Sequence, residues 1–303
     1  MATEKKRASV TVEARVPAEI TWRNITDARE LQIWFAQQTN PTLTGEEKNY
    51  SFGGRYVPFM KYDERPDQPV IEYDEEAMVL AFEWPLRGRD GEIVNTTVRY
   101  RVSPVGNNSR LDVEHIVGAD DLSDDDLRNL WTLLLNGLVF HLEGASAWVR
   151  PEFTQRKAKE FRLEFWTAAD RKRVFETITT VEGIKGFFAP QVKEVKLEEG
   201  GTLDLGWDQL PVISVEEDTR FAFGWREVAD EDPNLEVLWE LKDEGNGTRV
   251  VLTEGQFSEP VLLSSRPDYD GWAAVMNDLK RYLETNRHPI FLSILIEEVK
   301  EQA

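Results

Sequence analysis

The chain has 303 residues, of which 41% are hydrophobic and 30% charged, with 10 Trp and 15 Phe, a globular composition long enough for one large domain or two of about 150 residues. Its net charge of −20 gives no basic surface for nucleic acid or an anionic membrane. It contains no Cys, which excludes disulfides, thiolate catalysis and Cys-ligated zinc.

The N-terminal stretch "MATEKKRASVTVEARV" lacks the apolar core of a signal peptide, and no run approaches the ~20 apolar residues of a membrane span. A soluble cytoplasmic protein is expected. "SVTVEARV" alternates, with Val10, Val12, Ala14 and Val16 on one face, and reads as a strand. Pro17 then opens a short helix, "PAEITWRNIT". Asp27, with Glu30 three residues on, caps a second short helix that ends in Trp34-Phe35.

Strands follow. Gly53-Gly54 opens no helix, so it reads as a bulge or tight turn and not as a phosphate loop. "AMVLAFEW" puts Met78, Leu80, Phe82 and Trp84 on one face, and "TTVRYRVS" puts Val98, Tyr100 and Val102 opposite Arg99 and Arg101. "GNNS" is a hairpin turn. "RLDVEHIV" then aligns Leu111, Val113 and His115. The acidic run "GADDLSDDDLRN" lacks the spacing of a calcium loop. It reads as a helix start, with Ser123 as cap and carboxylates suited to the helix dipole. The long helix carries Leu127, Leu130, Trp131, Leu134, Leu138 and Leu142 at helical spacing, and Pro151 is expected to stop it.

The same order is then written again. "TWRNITDARELQIWFA" from Thr21 aligns without a gap with "VFETITTVEGIKGFFA" from Val174, so that Trp34 meets Phe187 and Phe35 meets Phe188. Gly53-Gly54 meets Gly200-Gly201, "LAFEW" meets "FAFGW", and "GNNSRLDV" meets "GNGTRVVL". "WTLLLNGLVFHLEG" from Trp131 meets "WAAVMNDLKRYLET" from Trp272. Colinear blocks of this kind predict two tandem copies of one domain: residues 1–150, a linker at 151–159, and residues 160–303. The segment from about residue 289, "PIFLSILIEEVKEQA", lies outside the repeat and is expected to be an added helix packed on a domain or on a partner chain.

Strand, two short helices, a meander of strands and a long C-terminal helix, with the Gly-Gly, "FEW" or "FGW" and the W-x(4)-N-x-L-x(3)-L-E helix, resemble one branch of the START-like (SRPBCC) superfamily. That branch is the domain named after the activator of heat-shock protein 90 ATPase. The resemblance covers roughly residues 8–146 and 160–286. It implies an α+β fold of two tandem helix-grip domains, each an antiparallel sheet wrapped on its long helix. It also implies a cavity for a small hydrophobic molecule, with two alternatives: a co-chaperone-like protein-interaction module, or an aromatase/cyclase-like enzyme of polyketide synthesis.

No catalytic residue, metal or cofactor is assigned. His115, His141 and His288 have no second ligand at a metal-binding spacing, and there is no G-x-S-x-G elbow or Walker loop. The candidate cavity lining is Phe82, Trp84, Tyr100, His115 and Trp131 in the first copy, and Phe223, Trp225, Trp239, Glu254 and Trp272 in the second. The aromatic side chains either line a cavity or fill the core. Alternation turns His115 and Glu254 inward as polar anchors, unless the strand frays there and both sit at the wet rim. Ala273, Ala274 and Val275 make the second helix slimmer than Leu133, Leu134 and Leu135 make the first, so the second copy is expected to leave more room.

Overall fold

A computed structural model describes residues 4–58, 68–87, 92–144, 148–153, 156–225, 235–255, 257, 259–263, 266–287 and 290–300. His288 falls outside them. The chain divides into two compact units: Met1–Thr154 with Ser264–Gly271 and Ile290–Ala303, and Gln155–Leu263 with Trp272–Pro289.

Unit 1 begins with strand β1 (Glu4–Ala14), whose alternating burial follows its alternating sequence. Helix α1 (Ala18–Thr26) starts behind Pro17, and α2 (Ala28–Trp34) behind Asp27, whose side chain accepts from the Arg29 and Glu30 N–H groups. Strands β2 (Gln38–Thr42) and β3 (Asn49–Gly53) form a two-stranded sheet, and an isolated bridge joins Asn49 of β3 to Pro69. The main sheet continues with β4 (Val70–Asp74), β5 (Val79–Arg87), β6 (Ile93–Val105) and β7 (Asn108–Gly118). Gly106 turns the β6–β7 hairpin at φ +62°. Met78 has φ +51°, so it lies in the preceding turn and not on the strand face expected for it. The face itself is as read: Leu80, Phe82 and Trp84 are fully buried.

Helix α3 (Asp124–Leu142) opens with a reciprocal capping box between Ser123 and Asp126. It stops at Leu142, short of the expected Pro151, because Gly144 turns the chain at φ +65°. The apolar stripe of α3 joins the inner face of the sheet in one core that includes Leu127, Leu130, Trp131, Leu134 and Leu138.

The C-terminal segment is not a helix. A short 3-10 turn (Ile290–Ser293) leads into strand β17 (Ile294–Lys300), which pairs antiparallel with β1. The order of the main sheet of unit 1 is β17-β1-β7-β6-β5-β4. Alternation explains the strand: Ile294 is buried in the core and Leu295 is exposed. The helical expectation weighed the apolar residues of this segment but not their period of two.

Unit 2 runs through β9 (Glu160–Thr167), α4 (Arg171–Thr179), α5 (Val181–Phe187), β10 (Glu194–Val195), β11 (Thr202–Asp204), β12 (Gln209–Glu216), β13 (Arg220–Trp225), β14 (Leu235–Glu244), β15 (Gly247–Gly255) and, from Trp272 on, α6 (Pro267–Thr285). A two-residue strand β8 (Lys157–Ala158) pairs with β16 (Val261–Leu262). The sheet order is β10-β11-β12-β13-β14-β15-β9, so the first long strand again lies beside the last one. Gly245 makes the hairpin turn at φ +63°. Both sheets are antiparallel throughout their described pairs.

Candidate functional site

In unit 1, Trp131 projects from α3 onto the sheet. Its ring lies 6.3 Å from Trp84, 6.1 Å from Tyr100 and 5.7 Å from His115, edge to face in each case. Register places these partners side by side: Tyr100 is opposite Val113, and Val98 is opposite His115. His115 is fully buried, so the frayed-rim alternative does not hold. Trp131 Nε1 donates to His115 Nδ1 at 3.2 Å. His115 Nε2 lies 2.8 Å from Thr96 Oγ1, and that hydroxyl donates its own proton to the Trp84 carbonyl at 2.7 Å. The Thr96 oxygen therefore accepts from Nε2–H, and the ring is a neutral Nε2–H tautomer with both nitrogens engaged. Burial pushes its pKa down to about 3.

Trp84 and Phe82 are packed over by the β2–β3 hairpin. Phe52 lies 4.5 Å from Phe35, 5.2 Å from Trp84 and 5.9 Å from Phe82, and Tyr50 lies 4.5 Å from Phe82. Gln68 clamps this plug: its amide accepts from the Phe52 N–H and donates to the Phe52 carbonyl. Phe35, Phe52, Trp84 and Tyr50 are all at most 1% exposed. Two donors are buried here with no partner among the described residues, Trp84 Nε1 and the Tyr100 hydroxyl, and burial raises the Tyr100 pKa.

In unit 2, Trp272 takes the corresponding place on α6. Its Nε1 donates to Glu254 Oε2 at 2.6 Å, and Glu254 is fully buried. The Trp272 ring lies 5.0 Å from Trp225, 6.2 Å from Trp239 and 6.3 Å from Phe223. All five candidates of this half thus meet at one helix residue. The surroundings differ from those of unit 1. Phe188, which follows α5, sits 5.5 Å from Trp272 and 6.5 Å from Trp225, and both Phe188 and Trp225 are half-buried. Trp207, 52% exposed, stands edge-on to Phe188 at 5.9 Å. A file of rings thus runs from solvent through Trp207 and Phe188 to Trp272, and ends on the Glu254 carboxyl.

Residues 168–284 match the family model described as activator of Hsp90 ATPase homolog 1-like protein. This stretch is a domain of that family. The match covers most of unit 2 and includes every residue of the aromatic file of the activator-like domain. No curated protein matches the chain. Among solved structures, the chain is similar to the Aha1 dimer from Colwellia psychrerythraea at 16% identity and TM-score 0.35, over 42% of this chain and 96% of that one. It is similar to DynU16, a putative protein in the dynemicin biosynthetic locus, at 13% identity and TM-score 0.38, over 91% and 98%. It is also similar to CalU16 from Micromonospora echinospora at 21% identity and TM-score 0.35, over 43% and 83%.

Sequence reasoning expected His115 and Glu254 to face inward among aromatic residues, and the structure buries both beside them. It missed Thr96, which sets the His115 tautomer, and Tyr50, Phe52 and Gln68, which form the plug. It aligned Phe35 with Phe188 but assigned Phe188 no role, and it passed over Trp207. The available signal for Trp207 was Gly206 beside it, in a turn that only glycine fits. Gly206 has φ +92°, and a Cβ there would lie 2.4 Å from the Gln191 carbonyl. Among the described residues no group of three or more His, Cys, Asp or Glu could hold a metal, and no helix is long and apolar enough to cross a membrane.

Proposed function

We propose that the chain carries two copies of one START-like domain, and that the activator-like domain of unit 2 holds a small apolar molecule between its sheet and α6. The observation that carries this reading is a difference between positions that the internal alignment equates. Phe35 and Trp84 are fully buried in unit 1, whereas their counterparts Phe188 and Trp225 reach solvent in unit 2. The residues before the paired glycines differ as well. Unit 1 has Tyr50 and Phe52 there, pressed onto the core; unit 2 has Leu197, Glu198 and Glu199, all exposed. Charged side chains do not enter an apolar core unpaired. In this reading unit 1 is plugged and unit 2 is the working site, with Phe188, Trp225 and Trp272 as its wall and Glu254 as its polar end.

The same geometry weighs against an acid–base role in unit 1. Both nitrogens of His115 are engaged and its proton affinity is low, so it is poorly suited to move a proton at neutral pH. Native mass spectrometry of protein purified from its own host tests the binding role. A co-purifying small molecule released by denaturation is the expected result. If no mass is carried, and no apolar probe is bound by the purified chain, the binding role is wrong.

A further inference from the structure

Trp207 is an apolar side chain held in water by a turn that is built to hold it there. The turn joins β11 to β12. Leu205 N–H donates to the Asp208 carbonyl at 3.0 Å, and Gly206 N–H to Asp204 Oδ1 at 2.8 Å. Gln209 Nε2 donates to the second oxygen of the same carboxylate at 3.1 Å. These bonds, the Gly206 N–H first, hold the Asp204 carboxyl below the usual carboxylate range. Leu205, fully buried, anchors the turn from beneath. Gly206 lets the backbone lie against Gln191, and the next side chain, Trp207, then projects outward. The turn thus fixes the direction of one exposed ring, which continues through Phe188 into the aromatic row of unit 2.

From the binding role proposed for unit 2, we infer that Trp207 is the outer capture residue of that site, and that the ligand is an uncharged planar aromatic molecule. Ring packs on ring from the surface inward: Trp207 on Phe188 at 5.9 Å, Phe188 on Trp272 at 5.5 Å and Trp225 on Trp272 at 5.0 Å. Ring edges and faces favour a second aromatic ring over an alkyl chain of equal area, because the quadrupoles pair in offset or edge-to-face geometry. Asp204 and Asp208 flank Trp207 in the same turn, and the whole chain carries −20, so an anion is repelled on approach.

Isothermal titration calorimetry of the full chain with 2-naphthol, 1-decanol and naphthalene-2-sulfonate tests this. Wild type should bind 2-naphthol more tightly than the other two. Trp207→Ala should weaken 2-naphthol binding by about three- to tenfold and leave 1-decanol binding unchanged, and Trp207→Phe should restore most of the loss. Unchanged affinity in Trp207→Ala, or decanol or the sulfonate bound as tightly as naphthol, overturns the inference while the binding role stands. No binding of any probe overturns both. If light scattering shows a wild-type dimer that Trp207→Ala converts to monomer, the ring covers a second copy, and the capture role is wrong. The exposed side chain can be replaced without touching the core, and circular dichroism of both variants checks this.

Discussion

Trp272 donates its indole N–H to Glu254 at 2.6 Å, and Trp131 makes the matching bond to His115 at 3.2 Å. In each unit the first tryptophan of the long helix is tied to the one polar side chain at the inward end of the last sheet strand. The donor is an indole in both units, whereas the acceptor is an imidazole in one and a carboxyl group in the other. A buried indole N–H left unpaired is costly, and at these two tryptophans different residue types supply the acceptor.

Removing the acceptor in unit 2 should therefore cost more than changing its charge. Glu254→Leu leaves the Trp272 N–H buried and unpaired, with an expected loss of about 1–3 kcal/mol. Glu254→Gln keeps an acceptor oxygen and should lose less. Urea unfolding followed by tryptophan fluorescence measures both, and equal losses would show that the bond is not what holds this residue type in place.

His115 predicts a pH signature. Its folded pKa is lowered to about 3 against an ordinary 6.5, so its contribution to stability is fully present above about pH 6.5 and is lost as pH falls toward the folded value. The expected slope from this one proton is about 1.4 kcal/mol per pH unit. Between pH 6.5 and 5 most carboxylates are still ionised, and comparison with a variant lacking His115 separates its share from those of the other two histidines and of Asp270, whose buried carboxyl is held well above the usual carboxylate range. His115→Gln should flatten the slope there, and an unchanged slope would assign it to other groups.

The end of the chain should stabilise the beginning. Ile290 and Ile294 are buried in the core of unit 1, and β17 covers the edge of β1. Register sets Lys6 opposite Glu298 and Arg7 opposite Glu297, pairs that favour this alignment. Deleting residues 290–303 should cost unit 1 about 3–6 kcal/mol, from two buried isoleucines alone. Amide exchange should then rise in β1 first and leave β14 and β15 protected. Equal loosening of both units would contradict the assignment of this segment to unit 1.

Phe52 closes unit 1, so Phe52→Ala should leave a cavity beside Trp84 and cost about 3–5 kcal/mol. Glu199 aligns with Phe52 in sequence, and if it also matches it in place, Glu199→Phe should reduce 2-naphthol binding in unit 2. If Glu199→Phe leaves binding unchanged, the exposed stretch before Gly200 is not what keeps that site open.

Much of this was legible from residue order alone. Alternation placed His115 and Glu254 inward, because a strand's side chains have a period of two whatever the strand packs against. Ser123, Asp27, Gly106 and Gly245 marked caps and turns, because those bonds and dihedrals are made within a few residues. The activator-like domain was visible through its motif order. Long-range choices were not. That Thr96 orients His115, that Gln68 pins Phe52 and that β17 returns to β1 depend on contacts between residues far apart in the chain, and no local period encodes those. Sequence determined which side chains face inward, and only the tertiary structure decided which of the two aromatic clusters is plugged. The reason is physical: burial depends on what lies on the far side of a side chain, and that neighbour arrives from another element.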